Sequence, residues 1–325
     1  MIKSRPNNQG YDIIGDIHGC TEALVQLLER LGYRQHNGVY RHEQREAVFV
    51  GDIIDRGAQV REALHLVKNM VEAQAAHIVL GNHEYNAVRN ADFLTTVLSE
   101  GLDSQASESK PRLMRLMGET LQQFSRHQQE WQAFVDWFAT LPLFLEGPGF
   151  RVVHACWDEE LIAEFKRRES SHRIHPAFIE ASKDPKSFAG RVVDRLTRGT
   201  NMPLPEGMSL QSKDGFVRRF FRTKFWSEDP QTYGDVVFQP DPLPYDLTDH
   251  PIKRVDRKTL IHYHKDAVPV FFGHYWLKGR PRPLQPNIAC LDYSAVNYGR
   301  LTAYRFDGEM TLNPAKYVWV YVDKK

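Results

Sequence analysis

The chain has 325 residues, 42% of them apolar and 26% charged, enough for a large soluble domain with an ordinary core. Its formal net charge of +1 supplies no whole-molecule field for nucleic acid or an anionic membrane, so any affinity for phosphate must be local. Cys20, Cys156 and Cys290 form no CxxC pair, residues 1–6 lack the apolar stretch of a signal peptide, and no apolar run reaches membrane-spanning length; a reducing, cytoplasmic setting without membrane partners is expected.

Residues 11–15 are a short apolar run ending in glycine, as suits a buried strand. Thr21 is placed to cap a helix whose Leu24, Leu27, Leu28 and Leu31 share a face, and Gly32 stops it. Residues 47–50 predict a second strand. Val60, Ala63, Leu64, Val67 and Val71 predict a second amphipathic helix, and residues 77–80 a third strand. This alternation argues for a sheet with helices on its faces.

From 99 to 141 the pattern turns helical. Leu113, Leu116, Met117, Leu121 and Phe124 make one stripe and Trp131, Phe134, Val135 and Phe138 another, both read as core. A fourth strand is expected at 151–154. Residues 158–265 are less regular, with charged helices first and then proline-rich stretches at 203–205 and 240–251. Strands return at 268–272, 288–291, 301–306 and 317–322. No repeat or low-complexity linker interrupts the chain. The expected fold class is α/β: one domain over 1–325, built as a sandwich of two mixed β-sheets flanked by helices. A helical insertion at 99–141 and an irregular, variable cap at 158–265 complete it.

The chemistry is concentrated where strands end. Gly15-Asp16, Gly51-Asp52 and Gly81-Asn82 each place a metal-type ligand directly after a strand-ending glycine, and His154 and His274 close two later strands. With His18, these would bring six oxygen or nitrogen donors to the crevice at the carboxyl ends of an open α/β sheet. Glycine at such turns leaves room for crowded neighbouring loops. Alone, an aspartate after a strand more often caps a helix, and a lone histidine more often sits satisfied in a core. Six together at strand ends are hard to explain that way. Because the set lacks a thiolate, manganese is expected first, with iron or zinc compatible.

Gly15-Asp16-Ile17-His18-Gly19, residues 51–57 (Gly-Asp-Ile-Ile-Asp-Arg-Gly) and Gly81-Asn82-His83-Glu84 resemble the signature blocks of calcineurin-like metallophosphoesterases. Asp55-Arg56-Gly57 and Glu84 point to the branch of serine/threonine protein phosphatases and symmetrical diadenosine tetraphosphatases. The resemblance continues through Val153-His154-Ala155, Phe272-Gly273-His274 and residues 290–307, but is poor across 158–265. It implies two divalent metal ions, one held by Asp16 and His18, the other by Asn82, His154 and His274, with Asp52 bridging. It also implies His83 as general acid oriented by Asp55, Arg56 as a phosphate ligand, and a metal-activated water as nucleophile without a phosphoenzyme. Glu84 reads equally as a partner of these residues or as a helix first-turn charge.

Departures from the pattern bear on substrate. His154-Ala155-Cys156-Trp157 lies nearer to the tetraphosphatases than to the protein phosphatases, with Trp157 either a stacking platform or packing. Arg222 is the candidate for a second phosphate-binding arginine. Residues 213–226 interleave basic and aromatic side chains, which suits either a nucleotide or an amphipathic element with a solvated face. The expected function is hydrolysis of a phosphate ester or anhydride, leaning to a dinucleoside polyphosphate. A phosphoprotein, an RNA end or a cyclic phosphodiester is the alternative substrate, and a degenerate metal-binding module the non-enzymatic one. No obligate protein partner is expected.

Overall fold

The computed structural model describes residues 2, 6–169, 173–205, 208–211, 217–238 and 245–322. In chain order its first half comprises β1 (Gly10–Ile14), α1 (Thr21–Arg30), β2 (Arg45–Phe49), α2 (Val60–Glu72), β3 (Ala76–Ile78) and α3 (Asn82–Arg89). Helices α4 (Ala91–Glu100), α5 (Pro111–Phe124) and α6 (Gln128–Phe138) follow, then β4 (Phe144–Gly147) and β5 (Phe150–Val153). The second half carries α7 (Glu159–Arg168), α8 (Pro176–Ala181), α9 (Phe188–Arg198), β6 (Thr200–Pro203), β7 (Phe220–Thr223) and β8 (Val237–Phe238). It closes with β9 (Val270–Phe272), β10 (Ile288–Cys290), β11 (Asp292–Tyr293), β12 (Arg300–Phe306) and β13 (Tyr317–Tyr321).

Two mixed sheets result, as expected for α/β. The first runs β11-β12-β1-β2-β3, with β13 also paired to β12. Strands β1, β2 and β3 are parallel, whereas β12 runs antiparallel to β1. The second runs β10-β9-β5-β4, with β5, β9 and β10 parallel and β4 antiparallel to β5. Successive strand residues point to opposite faces, and the chain uses both. Tyr11, Ile13, Val48 and Val50 of the first sheet pack with Phe150, Val152, Phe271 and Ala289 of the second in one apolar layer. The alternate residues Ile14, Phe49 and Ile78 instead meet Leu24, Leu28, Leu64 and Val67 of the outer helices, and Val153 and Phe272 join Trp157, Phe165 and Leu196. Helices thus cover the outsides of a sheet sandwich.

This packing has a consequence for the site. Parallel β1, β2 and β3 end at one edge of their sheet, and parallel β5 and β9 end together in the other, so ligands from five strand ends can meet. Thr21, expected as an N-cap, is instead the first residue of α1 behind Cys20; its hydroxyl donates to the Gln59 carbonyl at 2.7 Å, tying the helix start to the loop before α2. In α2 the buried stripe is completed by Met70, with Val71 only half-buried. Strand β4 was not expected; its hairpin with β5 follows directly on the helical stretch.

Within 158–265 the described residues include helices and an antiparallel sheet of order β8-β7-β6. Met202, Phe221, Tyr233, Val236, Leu247 and Ile252 form a separate small cluster there. Residues 240–244 of the proline-rich stretch, and Lys213 and Phe216 of the basic–aromatic stretch, lie outside the described residues. No helix among the described residues is long and apolar enough to cross a membrane.

Candidate metal centre

All six expected ligands are brought together and buried, none more than 8% exposed. Asp52 is the hub. Its Oδ2 lies 3.6 Å from His18 Nε2 and 3.3 Å from His154 Nε2. Its Oδ1 accepts the backbone N–H of His83 at 3.1 Å. His154 Nε2 is 3.1 Å from Asn82 Oδ1. His18 with Asp52 and His83, and Asp52 with His154 and His274, make two groups whose ligand atoms lie within 4.8 Å of one another. The groups share Asp52.

The histidine tautomers follow from their second ring nitrogens. His18 Nδ1 donates to the Ile54 carbonyl at 2.8 Å, and His154 Nδ1 to the Val50 carbonyl at 2.7 Å. A carbonyl can only accept, so both rings carry hydrogen on Nδ1 and turn Nε2 towards carboxylate or amide oxygens. A lone pair facing an acceptor at such range is favourable only with a cation between them. At His154 a proton can take that place, whereas burial and the neighbouring His83 and Arg56 hold His18 well below the ordinary imidazole range. Burial alone would lower His154, yet Asp52 and Asp16 raise it to about 9. Burial would likewise raise Asp52, but His154, His83 and His18 hold it well below the usual carboxylate range.

Other atoms await a partner. Asp16 Oδ2 accepts the His274 N–H at 3.0 Å. Asp16 Oδ1, His274 Nε2 and Asp292 Oδ2 are buried without a hydrogen-bond partner among the described residues. Burial, then the Asp292 carboxylate, push Asp16 well above its ordinary range. Unsatisfied buried carboxylates and an unsatisfied imidazole nitrogen are costly unless a cation neutralises them. The residues therefore fit a pair of divalent ions in oxygen–nitrogen coordination.

The backbone is contorted to achieve this. His18, Asp52, Asp55, Arg56 and His274 all have positive φ, between 45° and 71°, a region that non-glycine residues enter only when their surroundings compel it. Glycines make the close approach possible. A Cβ on Gly273 would lie 1.8 Å from Asp16 Oδ1, and one on Gly81 would lie 2.2 Å from Asp52 Oδ1.

Glu84 holds the loop that carries Asp52. Its Oε2 accepts N–H groups from Asp52 at 2.8 Å and Gly81 at 3.2 Å, and its Oε1 accepts those of Ile53 at 2.8 Å and Ile54 at 3.2 Å. Burial and the neighbouring Asp52 nevertheless raise its carboxyl to about 7. A glutamine here would present an amide N–H to backbone N–H donors. Glu84→Gln should therefore lower unfolding free energy by about 1–3 kcal/mol, measured by urea denaturation of the metal-free protein; an unchanged midpoint would show that the clamp contributes nothing.

Beside the ligands, His83 Nδ1 contacts Asp55 Oδ2 at 2.5 Å, and Thr120 of α5 donates its hydroxyl to Asp55 Oδ1 at 2.6 Å while accepting the Asp55 N–H at 3.0 Å. Burial would lower His83, but Asp52 and Asp55 outweigh it and raise its pKa. Arg56 Nη2 lies 3.4 Å from His83 Nε2. Arg222, on β7, donates from Nη1 to the His274 carbonyl at 3.0 Å, so it too reaches the centre. Both guanidinium groups approach the indole of Trp276, at 5.1 Å for Arg56 and 5.9 Å for Arg222.

Thr120, Asp292 and Trp276 were not singled out from sequence. Thr120 stands on the buried stripe of α5 with Met117, Leu121 and Phe124, and a polar residue there was the available signal. Asp292 follows a buried strand, as Asp16 and Asp52 do. Trp157, by contrast, is not a stacking platform: it is 1% exposed, packs against Phe144 and donates from Nε1 to Glu159. Phe225 and Trp226 of the basic–aromatic stretch are likewise turned into the core, against Phe272 and Tyr275. They are not available to stack on a base.

A family model described as calcineurin-like phosphoesterase matches residues 11–275. The chain is 34% identical over 167 residues to bis(5'-nucleosyl)-tetraphosphatase PrpE of Oceanobacillus iheyensis, designated asymmetrical, a match covering 50% of this chain and 63% of that one. It is 32% identical over 163 residues to the Bacillus subtilis protein of the same name, covering 49% of this chain and 62% of that one. The chain thus spans less than two thirds of the length of these relatives. A solved structure described as a putative diadenosine tetraphosphatase aligns over 99% of this chain and 98% of its own, at 16% identity and a TM-score of 0.47.

Proposed function

The chain belongs to the calcineurin-like phosphoesterase family, and from that premise we propose that it hydrolyses a phosphate ester or anhydride, with a dinucleoside polyphosphate as the preferred substrate class. The observation that carries the reading is the pair of buried ligand groups sharing Asp52, in and beside which His274 Nε2 and Asp16 Oδ1 have no hydrogen-bond partner among the described residues. Asp16 and His18 would hold one divalent ion, Asn82, His154 and His274 the other, and Asp52 both. Donors confined to oxygen and nitrogen support manganese first, with iron or zinc compatible. When bound, the ions supply charge neutralisation for the phosphoryl oxygens and lower the pKa of water at the site.

The chain's own groups do the rest. Arg56 and Arg222 would bind the phosphoryl oxygens through charge-assisted hydrogen bonds. His83 would donate the proton that the leaving oxygen takes up; Asp55 and Thr120 fix its ring and keep it protonated. The segment 158–265 contributes Arg222 and would act as a cap over the cleft, where specificity resides in loops on a fixed scaffold. Free Cys20, Cys156 and Cys290 support a reducing, cytoplasmic location.

The test is a panel with manganese-loaded protein: diadenosine tetraphosphate, a phosphopeptide and a 2′,3′-cyclic nucleotide, with products separated by chromatography. Diadenosine tetraphosphate should be cleaved with the highest kcat/KM. Its products also decide the regiochemistry, two ADP for symmetrical cleavage, or ATP with AMP as the designation of the relatives would suggest. Turnover of none of the three, with any divalent metal, would refute the enzymatic reading.

A further inference from the structure

Two arginines from distant parts of the chain converge on one indole. Arg56 lies in the loop after β2 and Arg222 on β7, yet their guanidinium carbons lie 5.1 and 5.9 Å from the Trp276 ring centre, within the range where a cation is attracted to an aromatic face. Trp276 follows the ligand His274 by two residues, is half-buried, and among the described residues belongs to none of the apolar clusters. Its neighbour Tyr275 packs among Phe225, Trp226 and Phe272 and also faces Arg222, whose guanidinium carbon lies 5.3 Å from its ring centre, so Arg222 rests against both rings. An indole outside the core, against two cations and beside a ligand, calls for more than a packing role.

We infer that Trp276 is a positioning residue that holds Arg56 and Arg222 as a paired phosphate clamp over the metal centre. The inference rests on the function proposed above and assigns the spacing of its two cationic groups to one side chain. Arg222 is hydrogen-bonded at the centre, donating to the His274 carbonyl at 3.0 Å, whereas Arg56 Nη2 only lies beside His83 Nε2, at 3.4 Å. A hydrogen bond at one edge of a guanidinium fixes a point but not the tilt of its plane; contact with a rigid ring limits the tilt as well. Two like charges brought close also repel. The electron-rich indole face offsets part of that repulsion, and a bound phosphate, accepting from both, would offset the rest. Planar Arg fits this arrangement better than Lys, whose ammonium cannot bind bidentately.

The experiment is calorimetric titration of manganese-loaded protein with inorganic phosphate, alongside steady-state kinetics. Trp276→Leu keeps apolar bulk but removes the aromatic face; Trp276→Phe keeps a face. The leucine variant should bind phosphate about tenfold more weakly, as expected when two cation–aromatic attractions are removed together, with KM raised more than kcat is lowered and metal content unchanged. The phenylalanine variant should recover most of the affinity. Combined with Arg56→Ala or Arg222→Ala, Trp276→Leu should add less than it costs alone, because one of its two attractions has already gone. Phosphate affinity within about twofold of the parent in the leucine variant, or full additivity with both arginine variants, overturns the inference. So does a parent protein that binds no phosphate. If the parent binds phosphate as described but hydrolyses no member of the substrate panel, the clamp stands and the hydrolytic reading falls.

Discussion

Asp52→Asn should reduce kcat by at least about 10³-fold and lower the bound manganese to about one ion or none per chain, read by elemental analysis of the dialysed protein. The substitution is nearly isosteric, and the amide oxygen can keep the 3.1 Å bond from the His83 N–H. The loop should therefore hold its course. What is lost is the charge that three imidazole Nε2 atoms face, those of His18 at 3.6 Å, His154 at 3.3 Å and His83 at 3.8 Å. Two divalent cations in contact need an anion between them, and Asp52 is the carboxylate common to both ligand groups. An asparagine variant that retains two ions and full turnover would remove Asp52 from its bridging role.

His83→Asn should behave differently. Metal content should stay at the parent level while kcat on an alkyl phosphate falls about 10²- to 10⁴-fold, the usual contribution of a positioned general acid. With p-nitrophenyl phosphate the fall should be much smaller, since that leaving group departs without a proton. The distinction rests on how the imidazoles are held. His18 and His154 direct Nδ1 to backbone carbonyls, which leaves a neutral ring with a lone pair for a metal. His83 directs Nδ1 to the Asp55 carboxylate, which favours the protonated ring, and Asp55 is itself fixed by Thr120. His83 also falls within the first ligand group, together with His18 and Asp52. Loss of an ion in the asparagine variant would make it a ligand and leave the acid unassigned.

The ligand set was legible in the sequence because it is written locally. Each ligand follows a strand within one to four residues, and strand ends can be found from apolar runs and the glycines after them. The glycines carry the same information: Gly81 and Gly273 stand where any side chain would collide with Asp52 or Asp16. The alternation of strands and helices sufficed for two mixed sheets with helices outside. Boundaries moved by a residue or two, as at Thr21, where the hydroxyl found a tertiary acceptor in Gln59. Strand β4 escaped notice because four residues after a long helical stretch carry too little periodicity to separate from it.

What the sequence by itself determined about this protein is the local chemistry of its strand ends: which donors Asp16, His18, Asp52, Asn82, His154 and His274 present, and that parallel strands would deliver them to one place. Only the tertiary structure decided their surroundings. Thr120 reaches Asp55 across 65 residues of chain, and Arg222 reaches His274 across 52. Trp157 and Trp276, both close in sequence to a ligand histidine, receive opposite fates, one buried in the core and the other half-exposed between two arginines. Nothing in their immediate neighbours separates them. Side-chain burial is set by which layer closes over a residue, and that is a property of the assembled sandwich, not of the segment that enters it.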